Sequence, residues 1–99
     1  MTQALIKARE LLADPTHWTK QTNAKDAHGN QVCVRDPKAS CWCSLGALDY
    51  AGAEFEDTEL VYAALPGWAE NSIAEFNDAD TTTHADVLAL FDRAIGVSA

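Results

Sequence analysis

Thr83-His84-Ala85-Asp86-Val87-Leu88-Ala89-Leu90-Phe91-Asp92-Arg93-Ala94-Ile95 carries the clearest periodicity in the chain. Val87, Leu88, Phe91, Ala94 and Ile95 recur at the spacing of one helix face, which predicts a helix over 84–95 that buries this stripe. Thr83 and Asp86 stand in the capping-box arrangement, with Asp in place of the usual Glu. An amphipathic helix needs partners with matching apolar faces, and the preceding residues supply them.

Working back from this helix, Asn77-Asp78-Ala79-Asp80 reads as a loop. A short helix is expected over about 69–76, burying Ile73 and Phe76. Asp57-Thr58-Glu59 opens another, with Leu60, Val61, Ala64 and Leu65 as its stripe and Pro66-Gly67 as its stop. Ala39, Trp42, Cys43, Gly46, Ala47, Tyr50 and Ala51 fall on one helical face, which makes 39–51 the expected central helix. Its start is either Asp36-Pro37 or Ser40, and Gly52 ends it. The small residues Gly46 and Ala47 leave room for a close neighbour.

At the N-terminal end, Ala4, Leu5, Ala8, Leu11 and Leu12 form a helical stripe, with Thr2 as N-cap and Asp14-Pro15 as stop. Residues 16–36 differ. Trp18 is the only large apolar residue between Leu12 and Val32. Ala27-His28-Gly29-Asn30 is a turn signal and Gln31–Arg35 alternates like a strand, so 20–26 pairs with 31–35 in a small hairpin, or the whole segment is an irregular loop. The expected fold is mainly α: a small bundle of four or five helices around the 39–51 helix, with a minor β-hairpin near 20–35, in one domain over 1–99.

Composition fits this reading. At 47% hydrophobic residues, the 99-residue chain is rich enough to build a core and too rich for disorder. No apolar run approaches the roughly 18 residues that would cross a membrane. The start, Met1-Thr2-Gln3-Ala4-Leu5-Ile6-Lys7, lacks the charged-then-apolar pattern of a signal peptide. Three cysteines, Cys33, Cys41 and Cys43, are an odd set without a secretion signal, which implies reduced thiols and a cytoplasmic location.

Charge is the most informative feature. The net charge is -8. Residues 1–38 hold six Lys and Arg against four Asp and Glu, a net +2, whereas residues 39–99 hold Arg93 alone against eleven acids, a net -10. Such a surface repels phosphate backbones, so the expected partner is a basic protein surface and not nucleic acid. The candidate contact residues are Asp49, Glu54, Glu56, Asp57, Glu59, Glu70, Glu75, Asp78 and Asp80. Any one of these is most simply a solvated surface charge, and Asp57 and Glu59 also complement a helix dipole. Together they repel one another, which a positive partner would relieve. Trp18, Trp42 and Trp68 are core candidates, and Trp68, between Pro66-Gly67 and Glu70, is the one placed to anchor an interface.

Two chemical readings stand beside this one. Cys43 or Cys41 near a helix start, with His84 as base and Asn77 or Asp78 orienting it, would make a cysteine-dependent hydrolase or transferase. Against it, Cys43 sits on the apolar stripe, where a small hydrophobe belongs. Cys33, Cys41 and Cys43 with His17 or His28 supply enough soft ligands for a metal, but C-x7-C-x-C does not match the paired spacing of structural zinc sites. No metal and no cofactor are expected. A structural role for Asn77 and Asp78, bracing the loop before the last helix through backbone N–H groups, fits either class of function.

Trp18 after an Asp-Pro stop, Trp42-Cys43-Ser44-Leu45-Gly46-Ala47-Leu48, Phe76-Asn77-Asp78, Thr83-His84-Ala85-Asp86-Val87 and Asp92-Arg93-Ala94-Ile95 follow one another in an order that resembles a family of small proteins from actinobacteria, other bacteria and their phages. The W-C-x-x-G-A, N-D and T-H-x-x-V blocks carry the resemblance, which spans nearly the whole chain. It implies a bacterial or phage cytoplasmic setting, often on mobile elements, and points to Cys43, Gly46, Asn77, Asp78 and His84. The family brings no established activity. Combined with the charge, it suggests a small acidic inhibitor, such as an anti-CRISPR protein, that occupies a nucleic-acid-binding surface.

Overall fold

The computed structural model describes residues 2–69 and 72–98, the side chains of residues 2 and 98 excepted. The expected capping role of the Thr2 side chain and the expected contact residue Glu70 therefore lie outside the described part.

Five α-helices carry the fold: α1 (Thr2–Leu11), α2 (Ser44–Tyr50), α3 (Phe55–Ala64), α4 (Ile73–Asp78) and α5 (His84–Ser98). Strands β1 (Ala24–Asp26) and β2 (Ala39–Trp42) make one antiparallel pair, and 3-10 turns sit at Pro15–His17 and Gly67–Ala69. The mainly helical fold with a minor strand pair matches the expectation.

The stripes meet as their spacing dictates. α5 buries Val87, Phe91 and Ala94 as expected, and Leu90 besides, against Leu5, Ala8 and Leu12 of the α1 segment and Val61 of α3, whereas Leu88 and Ile95 of the expected stripe are only partly buried. Its start is the reciprocal cap expected: Thr83 N–H donates to Asp86 Oδ2 at 2.9 Å, and Asp86 N–H donates to Thr83 Oγ1 at 3.2 Å. α1 also packs on α2, and α2 on α4. The bundle is thus organised around α1, which touches α2, α3 and α5, and not around the 39–51 segment. Arg9 of α1 and Asp92 of α5 add a surface ion pair at 2.6 Å.

The 39–51 segment is half strand and half helix. Ala39–Trp42 pairs with β1 in the register Ala24↔Trp42, Lys25↔Cys41 and Asp26↔Ala39. Cys43 is extended, and its Sγ accepts the N–H of Gly46 at 3.3 Å, so the helix starts only at Ser44. A Cβ on Gly46 would lie 2.0 Å from the carbonyl oxygen of Asn23, so this close approach admits only glycine.

The expected 31–35 strand does not form. The turn before it does: Asp26 Oδ1 accepts the N–H groups of His28 and Asn30, and Gly29 has φ of 84°. Gln31 then makes a single bridge to Lys25 before the chain peels away. Val34 is buried in the core and its carbonyl accepts the Trp42 indole N–H at 3.1 Å, so this segment packs by its side chains and β2 takes the pairing edge.

Two helix boundaries also move. α3 begins at Phe55, with Glu54 as N-cap, two residues before the expected start. α4 covers 73–78 and not 69–76, because Ser72 Oγ caps it through the Glu75 N–H at 3.0 Å. Asn77 and Asp78 are therefore helical, and the loop before α5 begins at Ala79.

Candidate functional site

Trp18, Ser44, Asn77 and Asp78, from three of the blocks that carry the family resemblance, meet at one junction. Asn77 is 1% exposed and sits in the last turn of α4. Its Oδ1 accepts the Trp18 indole N–H at 2.8 Å, the Ser44 N–H at 3.0 Å and the Ser44 hydroxyl at 2.7 Å. Its Nδ2 donates to the Thr19 carbonyl and to Asp78 Oδ1, each at 3.0 Å. Asp78 Oδ1 in turn accepts the Gln21 N–H at 2.7 Å, where Gln21 is held at φ of 71° in the left-handed region. One side-chain amide thus satisfies the start of α2 and fixes the 18–21 segment. The bracing expected of Asn77 and Asp78 acts on that distant segment and not on the loop that follows them.

Cys43, Cys41, His84 and Asp78 each have other hydrogen-bond partners. Cys43 is 6% exposed, and its thiol donates to Asn23 Oδ1 at 3.5 Å. Burial pushes this thiol above the ordinary cysteine range, and the nearby Asp78 charge acts in the same direction. Cys41 lies on β2, 3.9 Å from the Lys25 carbonyl. His84 Nε2 lies 2.6 Å from the Leu12 carbonyl, a pairing that requires the proton on Nε2, and its ring packs 6.0 Å from that of Trp18. Among the described residues no hydrogen bond joins either thiol to His84, so the geometry lends the hydrolase reading no support. Nor do three or more His, Cys, Asp or Glu side chains gather where a metal could sit, among the described residues.

The expected contact acids divide into two groups, because α3 packs on α5 and α1 whereas α4 packs on α2 and the Gly67–Ala69 turn. Glu75 and Asp80 are exposed on or beside α4, and Asp78 is half-buried and bonded as described. Trp68 is 57% exposed, as its position suggested, with its ring 5.6 Å from Phe76. Asp49 is exposed at the end of α2, 3.9 Å from Arg35.

The second group is the start of α3. Glu54, Glu56 and Glu59 are exposed, and Phe55 among them is 75% exposed. Phe55, Glu59 and Tyr62 are spaced to share one outward face, and Tyr62 is 37% exposed. Asp57 is different from its neighbours: it is 6% exposed, and its Oδ2 accepts the Glu54 N–H at 2.9 Å. A cleft of about 240 Å³, lined by Ala4, Gly52, Glu54, Glu56 and Asp57, opens beside it. Among the described residues no Lys or Arg forms an ion pair with any of these acids. Phe55 was not among the expected contact residues. It precedes Leu60 and Val61 by five and six positions, which puts it off their stripe, and that mismatch was the available signal.

A family model described as a family of unknown function (DUF6197) matches residues 1–97, and the chain belongs to that family. No curated protein and no solved structure matches it. Among the described residues no helix is long and apolar enough to cross a membrane.

Proposed function

We propose, with membership of this family as the premise, that the protein is a non-enzymatic cytoplasmic binder that docks a basic partner surface on the outward face of α3. The observation that carries the reading is Phe55. Phe55 is 75% exposed, exposed Glu54 and Glu56 flank it in sequence, and exposed Glu59 lies one helical turn on. An exposed aromatic framed by one sign of charge is the composition of an interface anchor with a steering rim. The eleven acids after residue 38 raise encounter rates with a positive surface and oppose phosphate contacts.

A basic surface dense enough to need such a partner is commonly one that binds nucleic acid. The reading is therefore an inhibitor that covers a nucleic-acid-binding surface, in a bacterial or phage setting, with anti-CRISPR proteins as the concrete type. The test is the triple charge reversal Glu54→Lys, Glu56→Lys and Glu59→Lys, titrated with a deca-arginine peptide at low salt. A loss of about tenfold or more in affinity is expected. Unchanged affinity overturns the reading, since exposed charges are least screened under that condition.

A further inference from the structure

We infer that the cleft at the start of α3 receives an arginine side chain of the partner, with Asp57 as its buried counter-charge. The inference rests on the reading of α3 as the docking face and names the group that face recognises.

Asp57 lines the cleft and is more than nine-tenths buried, at 6% exposure. One carboxylate oxygen is used by the Glu54 N–H. The other, Oδ1, is buried with no hydrogen-bond partner. A carboxylate oxygen in that position costs free energy until a donor reaches it. The amides of the α3 start offset part of its charge, but that offset is about half an elementary charge against three carboxylates, those of Glu54, Glu56 and Asp57. The field in the cleft is therefore negative.

The shape agrees with the charge. Ala4 and Gly52 form the rest of the lining, so small residues leave the space beside the acids open. A volume of about 240 Å³ is enough for one long side chain. A guanidinium suits this site better than an ammonium: its planar fork offers several donors at once to the carboxylates that line the cleft. Lysine offers a single charged point.

The probe is the blocked tripeptide acetyl-Gly-Arg-Gly-amide, followed by backbone amide shifts in the parent protein, in Asp57→Asn and in Ala4→Leu. Asn retains an acceptor for the Glu54 N–H and removes the charge, and Leu fills the cleft without touching any charge. Shifts confined to residues 52–58 are expected, with binding about tenfold weaker in each variant and several-fold weaker for the lysine tripeptide. If Asp57→Asn does not fold, Ala4→Leu decides. Should the variants bind the tripeptide as the parent does while the charge reversal still abolishes deca-arginine binding, the cleft proposal fails and the docking face stands. If charge reversal leaves deca-arginine binding untouched as well, both fail. Equal binding of the lysine and arginine tripeptides overturns the assignment to arginine.

Discussion

The indole N–H of Trp18 donates to the side-chain carbonyl of Asn77 at 2.8 Å, across 59 positions of sequence. The same oxygen holds the first N–H of α2. Asn77→Ala strands the Ser44 N–H, the Trp18 indole N–H and the Thr19 carbonyl together. A loss of about 3 kcal/mol in unfolding free energy is expected by denaturant titration. A change under about 1 kcal/mol contradicts the assignment of Asn77 as the hub.

Gly46 faces the backbone of Asn23, where an added Cβ would stand 2.0 Å from the carbonyl oxygen. Helix propensity alone favours Gly46→Ala by about 1 kcal/mol. Steric overlap with backbone outweighs it, so a net loss on the order of 2 kcal/mol is expected in chemical denaturation. A stabilised variant contradicts the close approach.

Cys43 is buried and its thiol is held above the usual range, whereas Cys33 is exposed. In the folded protein at neutral pH, N-ethylmaleimide is expected to label Cys33 readily and Cys43 only after unfolding. Mass spectrometry of the labelled peptides reads this directly. Rapid labelling of native Cys43 would revive a nucleophilic role for it.

Phe55 is solvent-facing, so Phe55→Ser is expected to leave stability within about 0.5 kcal/mol. The same variant should weaken deca-arginine binding several-fold, because the aromatic anchor is gone. Stability that falls with binding unchanged places Phe55 in the fold and not at an interface.

Helices α1 and α5 were legible because their stripes are long and face one core. Leu5, Ala8 and Leu12 meet Val87, Phe91 and Ala94 at the spacing expected. The 39–51 segment was not, because Ala39 and Trp42 fit a helical face equally well, and their pairing with Asp26 and Ala24 depends on a register no local pattern encodes. Glycine at 46 and the cap at Thr83 were readable from local chemistry. The convergence of Trp18, Ser44 and Asn77 was not, since it joins three distant segments through a single amide. The acids could be counted in sequence, but their grouping depends on packing. Asp57 is buried beside exposed Glu56, a contrast that one helical turn creates and composition cannot reveal.

The most direct test of the docking face is a residue-resolved one: backbone amide shifts of the parent protein titrated with deca-arginine at low salt. The account predicts shifts concentrated on residues 52–62, around Phe55, Glu56 and Glu59, with Glu75 and Asp80 little moved. Shifts centred on Glu75 and Asp80, or spread evenly over all exposed acids, would contradict it.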